Sequence, residues 1–347
     1  MNKEVISIIV PCLNEVDFIE DMVESVVNQT VDSHQFELII VDGGSNDGTR
    51  QILWKLRRKH PFIRLLHNPR KTTPHALNIG IRNARGKFIA RMDVHAKYPP
   101  NYLERLYKAI IKTGAANVGC CIETLPSHNT SKAKSIAYTL SNPFGVGNSY
   151  FRIGSKEMRE VDTVPFGFFR RDLFKKIGLF DTDMTRGQDH EFNARIKKAG
   201  MKIYLIPGDK IRYYARENFK KLSAMMYQYG FSRPVVNKKI GSPATLRQFV
   251  PLALVISLIS TAFLAPFNTL FLSLFALLLT VYLTACGIAA SHIVKKKTGR
   301  IKLKLWAQII MGFITSHLSY GFGYMGGLLS LLSPQNSKSS HMAKITR

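Results

Sequence analysis

The chain has 347 residues, 46% of them hydrophobic, with 49 Lys and Arg against 23 Asp and Glu, a net charge of +26. That hydrophobic content excludes a disordered chain, and the length allows one sizeable core plus an appendage. The charge asks for an anionic partner, whether nucleic acid, an anionic membrane face or a phosphorylated substrate, and does not choose among them.

In chain order, the β-branched apolar run at 5–10 predicts a buried strand. Residues 17–29 have helical spacing, with Phe18, Met22 and Val26 on one side. Strands are expected at 36–41, 62–66 and 87–92, alternating with helices at 49–59 and 75–83. This βαβα order predicts a parallel sheet with helices on both faces. The four cysteines, Cys12, Cys120, Cys121 and Cys286, form no CxxC pair, and no secretory signal precedes the first strand. Reduced thiols and an N-terminal domain facing the cytosol are therefore expected.

Near Phe249 the composition changes. Residues 249–265 and 270–293 contain no Asp, Glu, Lys or Arg, and Pro266-Phe267-Asn268-Thr269 reads as a tight turn between them. Each run is about long enough to cross a ~30 Å hydrocarbon core, so the pair predicts a membrane hairpin. The soluble alternative is a set of buried core helices. Lys295, Lys296, Lys297, Arg300, Lys302 and Lys304 follow with no acid among them, which marks the cytoplasmic side. A third apolar segment, 305–332, is rich in Gly, Ser and Tyr and suits close helix packing, spanning once or lying partly in the interface. The expected division is an α/β domain at 1–240, a membrane region with two to three hydrophobic helices at 241–334, and a flexible basic tail at 335–347.

Four polar constellations fall at or just past the ends of the expected strands. Val10-Pro11-Cys12-Leu13-Asn14-Glu15 closes the first, and Val41-Asp42-Gly43-Gly44-Ser45-Asn46-Asp47-Gly48-Thr49 the second. Asn68-Pro69-Arg70-Lys71, with Ala76-Leu77-Asn78-Ile79-Gly80, supplies two natural phosphate ligands in Arg70 and Lys71, or else a solvated basic loop. Asp93-Val94-His95 ends the strand at 87–92 with a carboxylate and an imidazole two positions apart, hence pointing the same way in an extended chain. The carboxyl edge of an open α/β sheet is where ligands bind.

These motifs, in this order and spacing, resemble the family 2 glycosyltransferases of the GT-A nucleotide-diphospho-sugar transferase fold. That family carries an I-V-P-x-x-N-E opening, a V-D-D/G-G-S-x-D-G-T loop, an A-L-N-x-G segment and a D-x-D metal motif. Val164-Pro165-Phe166-Gly167-Phe168-Phe169-Arg170-Arg171 resembles its acceptor-side segment, and Gln188-Asp189-His190-Glu191-Phe192-Asn193-Ala194-Arg195 its E-D-x-E-L-x-x-R motif, with Gln188 a departure. Phe144-Gly145-Val146-Gly147, Gln228-Tyr229-Gly230 and the hydrophobic C-terminal region resemble the succinoglycan-biosynthesis glucosyltransferase subgroup.

The resemblance implies roles. Asp189 would be the catalytic base. Asp42 would accept from the uracil ring, Glu15 from the ribose, and Asp93 would contact ribose or donor sugar and support the metal. Pro11, Asn14, Gly44, Ser45, Asp47 and Asn78 would complete the donor site, with Arg70 and Lys71 on the diphosphate. His95 takes the position of the family's metal ligand, so Asp93 and His95 would hold a divalent cation. The D-x-H form is similar to that of the manganese-using polypeptide GalNAc-transferases, and imidazole favours Mn²⁺ over Mg²⁺, which remains an alternative. Phe166, Gly167, Glu191, Arg195, Gln228 and Arg233 fall on the acceptor side; Glu191 and Arg195 would equally form a helical i,i+4 ion pair, and Gln228 and Arg233 a packed juxtamembrane helix.

The implied activity is inverting transfer of a sugar, glucose in the subgroup, from a UDP-sugar to a lipid-linked saccharide in exopolysaccharide or capsule synthesis. The enzyme would be a multi-pass protein of the inner (cytoplasmic) membrane with its catalytic domain in the cytosol. Other polysaccharide-assembly proteins are further expected partners. Nucleic acid is not, since no basic motif is interleaved with aromatics. The alternatives are a polyprenyl-phosphate sugar synthase, a processive polysaccharide synthase, whose Q-x-x-R-W is missing after Gln228, and a non-catalytic nucleotide-sugar-binding scaffold.

Overall fold

The computed structural model describes residues 5–184, 186–243, 245–295 and 299–332. The expected tail at 335–347, and Lys296 and Lys297 of the basic stretch, lie outside the described residues.

The chain begins β1 (Ile6–Cys12), α1 (Ile19–Val27), β2 (Phe36–Asp42), α2 (Thr49–Lys59), β3 (Ile63–His67), α3 (Thr73–Asn83), β4 (Phe88–Arg91), β5 (Ala96–Lys97), α4 (Tyr102–Thr113) and β6 (Asn117–Leu125). It continues with α5 (Ser131–Leu140), α6 (Pro143–Val146), α7 (Tyr150–Ile153), β7 (Arg159–Glu160), β8 (Phe168–Arg170), α8 (Leu173–Ile177), α9 (Gln188–Lys198) and β9 (Ile203–Tyr214). Four helices close it: α10 (Phe219–Ile240), α11 (Val250–Leu264), α12 (Thr269–Val294) and α13 (Gly299–Leu332).

Two compact units emerge, Met1–Glu123 with Gly154–Tyr213, and Thr124–Ile153 with Tyr214–Arg347. The first is α/β. Its sheet runs β3-β2-β1-β4-β8-β6-β9-β5, with β7 on β9. The β3-β2-β1-β4 half is parallel, as the βαβα order predicts. Beyond β4, β8 lies antiparallel to both β4 and β6, and β9 antiparallel to β5 and β7. The sheet is therefore mixed rather than wholly parallel. β1 and β2 are buried along nearly their whole length, so they read as continuous apolar runs rather than alternating ones. Gly80 of α3 lies so close to β1 that a Cβ there would fall on the Ile9 side chain. The A-L-N-x-G segment thus keeps its glycine for helix-on-sheet packing.

The second unit is helical, and it gathers more than the expected region past residue 240. α10 and the excursion at 124–153 belong with the apolar helices. The reason is backbone contact. A Cβ on Gly230 of α10 would fall on the carbonyl of Tyr320, and Cβ atoms on Gly323 and Gly327 of α13 would fall on the carbonyls of Tyr227 and Phe231. Gly321 faces the Pro251 carbonyl of α11 in the same manner, and Gly312 faces the Thr139 side chain of α5. The small residues of the third apolar segment are therefore used to bring α13 against its neighbours. Residues 246–264 and 269–294 are long and apolar enough to cross a membrane, with only 17% and 6% of those windows buried. Core helices of a soluble protein would be mostly buried. Phe263, Phe267, Leu270 and Leu277 are instead each more than half exposed.

Candidate active site

The first unit assembles its polar loops along the carboxyl edge of the parallel strands. Cys12, Asp42 and His67 lie side by side in register at the ends of β1, β2 and β3. The loops after β1 and β2 are stitched to each other. The amide of Asn14 donates to Ser45 Oγ (2.8 Å), that of Glu15 to Thr49 Oγ1 (2.8 Å), and that of Val16 to Asp47 Oδ2 (3.1 Å). In return Asn14 Oδ1 accepts from the Asn46 amide (3.0 Å). Burial works against the charge on Asp47, but hydrogen bonds from Thr49 and the Val16 amide outweigh it and hold the carboxyl below its usual range.

Asp42 sits at the centre of this loop. It accepts from Ser45 Oγ (2.5 Å) and from the Gly44 and Ser45 amides (3.1 and 3.2 Å), with Arg50 Nε 3.9 Å away. A cleft of about 150 Å³ opens beside it, lined by Trp54, Leu66 and His67 among others. The third loop joins the same edge because the buried Asn68 donates its amide to the Asp42 carbonyl (2.8 Å). It carries the exposed Arg70 and Lys71. Among the described residues, Asn14, Lys71 and Phe166 are the non-glycine residues with positive φ, at 55°, 57° and 51°. Strained backbone of this kind concentrates at functional sites, and all three fall in the expected motifs.

Asn78 departs from its expected place on the donor. Its side chain donates to the Phe180 carbonyl (2.8 Å) and accepts from the Phe180 amide (3.0 Å), so both ends are spent on tying α3 to the 180 segment. Glu191 and Arg195 resolve toward the ion pair. Arg195 grips both oxygens of the buried Glu191 carboxylate (2.6 and 2.9 Å) and donates to the carbonyls of Ile177 and Leu179 (2.5 and 2.7 Å). Arg195→Met would leave a buried carboxylate uncompensated. It is expected to destabilise the first unit by about 3 kcal/mol, read as a lower unfolding temperature of the full chain in detergent.

At the end of β4 the other expected residues come together. The Asp93 amide donates to Tyr98 Oη (2.6 Å), and Asp93 Oδ1 accepts from the His95 amide (3.1 Å). Burial, with the Asp93 charge beside it, pushes the Tyr98 phenol well above its ordinary range, so this anchor stays protonated. His95 Nε2 lies 2.6 Å from Glu15 Oε2, and its ring packs against Phe18 at 4.4 Å. Glu15 therefore faces the imidazole in this structure rather than a position set apart for ribose.

Two carboxylates and one imidazole form a donor set suited to Mn²⁺. Among the described residues no three such groups are arranged to hold a metal unaided.

Asp189 lies in the first turn of α9, where a carboxylate suits the helix dipole. It forms an ion pair with Arg91, the last residue of β4, whose side chain is only 7% exposed against 32% for Asp189. Arg91 also lies over the Phe166 ring (5.9 Å), and its amide donates to the Gly167 carbonyl (3.0 Å). Asp189, Phe166, Gly167 and the Asp93–His95 strand end thus share one corner. Arg91 was not among the expected site residues. Its signal was a charge ending the buried run Phe88-Ile89-Ala90, where a cation needs a partner. Gln228 and Arg233 belong to the second unit; Gln228 is buried on α10 and Arg233 half-buried.

Fold and site together define a sugar transferase of the GT-A type. Residues 7–178 match the description of Glycosyl transferase family 2. The chain is 30% identical over 248 residues to the succinoglycan biosynthesis protein ExoA of Rhizobium meliloti, covering 71% of this chain and 74% of that one. It is 29% identical over 329 residues, 91% and 95% of the two chains, to the dolichyl N-acetyl-alpha-D-glucosaminyl phosphate 3-beta-D-2,3-diacetamido-2,3-dideoxy-beta-D-glucuronosyltransferase of Methanococcus voltae. Among solved structures, the mannosyltransferase PcManGT from Pyrobaculum calidifontis, in complex with GDP-Man and Mn²⁺, shares the fold with a TM-score of 0.54 at 19% identity, over 91% of this chain and 86% of that one. The chain belongs to the family 2 glycosyltransferases, and its work is glycan or polysaccharide synthesis.

Proposed function

We propose that this glycosyltransferase transfers a sugar, with glucose first in line, from a UDP-sugar to a lipid-linked saccharide, inverting the anomeric centre. The observation that carries the reading is the Arg91–Asp189 pair, which sets a carboxylate at the end of the strand leading into Asp93 and His95. In this reading Asp42 and the stitched loops after β1 and β2 bind the nucleotide, and Arg70 and Lys71 face the diphosphate. Asp189 Oδ takes the proton from the acceptor hydroxyl as that oxygen attacks the anomeric carbon and the bond to the diphosphate breaks. A divalent cation held by Asp93 and His95 would neutralise charge on the departing diphosphate. In the same reading α11 and α12 cross the cytoplasmic membrane near the acceptor, and the first unit works in the cytosol; their length and bare apolar surface support it.

Membranes containing the chain, given UDP-Glc, UDP-Gal, UDP-GlcNAc or GDP-Man with a lipid extract, are expected to show metal-dependent transfer from a UDP-sugar. Transfer from GDP-Man alone would overturn the donor assignment. His95→Asp replaces the nitrogen ligand by oxygen, so the ratio of Mn²⁺- to Mg²⁺-supported rates should fall severalfold in initial-rate titrations. An unchanged ratio would remove His95 from the metal.

A further inference from the structure

The net charge is unevenly shared. By sequence, the second unit holds 19 Lys and Arg and a single acid, Glu217, so 18 of the 26 net positive charges belong to it. That lone acid lies in a cleft of about 450 Å³ whose walls include His128, Lys132 and Lys304. Glu217 is already matched by Lys221, one helical turn on, at 2.9 Å. The hydrogen bond from Lys221 holds its carboxyl below the usual range. Lys132 and Lys304 are exposed and have no ion-pair partner among the described residues. Thr130 and Asn218 on the same wall cap their own helices, accepting from the Ala133 and Lys221 amides. The unmatched charge in the cleft is therefore cationic and comes from side chains.

The position of the cleft selects the kind of anion. Lys304 lies near the start of α13, directly after the basic connection that follows α12. α12 is the apolar helix whose most apolar window is only 6% buried, its last turns packing against α13 through Cys286, Ala290 and Val294. A cation at that end of a membrane-crossing helix stands at headgroup level, where anionic lipids add about 1 kcal/mol of attraction per basic residue.

We propose that this cleft is a seat for the phosphate ester of an anionic lipid, with Lys132 and Lys304 as its two ligands and His128 at its rim. It rests on the membrane reading of α11 and α12 and not on sugar transfer. Binding is measured without donor or turnover, so a failed transfer assay and a failed binding assay are separate results.

The test uses the full chain, purified in detergent and stripped of lipid, titrated calorimetrically with short-chain phosphatidylglycerol, short-chain phosphatidylcholine or inorganic phosphate. Phosphatidylglycerol should bind saturably and phosphatidylcholine far more weakly. Lys132→Gln with Lys304→Gln should weaken phosphatidylglycerol roughly tenfold or more. Lys132→Arg with Lys304→Arg should retain it, which also guards against misfolding of the neutral pair. Lys238→Gln with Lys239→Gln removes the same charge elsewhere in the unit and should leave binding unchanged. Equal losses in the two Gln pairs would reduce the seat to diffuse attraction and overturn it. So would equal binding of phosphatidylcholine, or inorganic phosphate binding as tightly as the lipid.

Discussion

Asp189→Asn is expected to lower sugar transfer by about 10²–10⁴-fold, the usual share of a general base. The substitution keeps the shape of the side chain and an oxygen for Arg91, but no longer accepts the acceptor's proton. Donor binding, measured by calorimetry with the UDP-sugar and metal, should stay within a few-fold, because the loops after β1, β2 and β3, which we propose hold the nucleotide, do not use Asp189. Full activity in this variant would remove Asp189 from the chemistry. Loss of donor binding together with activity would make it a residue of the fold. Arg91→Lys separates direction from charge: lysine keeps the cation but not the planar fork. If Arg91 aims the base, kcat should fall while the donor KM holds.

The second large effect lies far from the chemistry. Gly→Ala inside a helix normally stabilises, by up to about 1 kcal/mol. Gly230→Ala and Gly323→Ala are expected to do the reverse, because each new Cβ would fall on a carbonyl of the facing helix, Tyr320 or Tyr227. Neither helix backbone moves without its neighbours, so overpacking of about 3 kcal/mol is expected for either change. Gly287→Ala is the contrast, since a Cβ there meets only the Trp306 ring at 3.4 Å. The yield of full chain in membranes and its melting temperature in detergent should drop for the first two and hold for the third. Equal behaviour of all three would mean that α10 and α13 do not depend on this approach.

Much of the parallel half of the sheet was legible because its signals are local. The apolar runs that make β1 and β2 are short, continuous and closed by Pro11 or by the glycines after Asp42, so strand, turn and helix follow from neighbouring residues. The charge-free stretches before and after Pro266 spell out a hairpin the same way. What local pattern does not encode is partner choice. Arg91 and Asp189 are 98 positions apart, and nothing near either names the other. Asn78 looks like a ligand by its motif, yet it is spent on the backbone of Phe180, 102 positions away. The antiparallel pairing of β8 and β6 was equally hidden, since β8 is a three-residue strand with no period to read. The glycines of 305–332 announced close packing but not that α5 and α10 would receive it.

The glycine contacts of α13 also have a consequence in time. A chain made from its N-terminus releases residues 131–140 and 219–240 long before residues 299–332 exist. Until that last helix is synthesised, Thr139 of α5, Tyr227 and Phe231 of α10 and Pro251 of α11 have no covering backbone. The first unit carries its sheet entirely upstream of α10 and can close while translation continues. The second closes from its final helix backwards. A premature stop ahead of Gly312 would therefore strand not one helix but the three that wait for it.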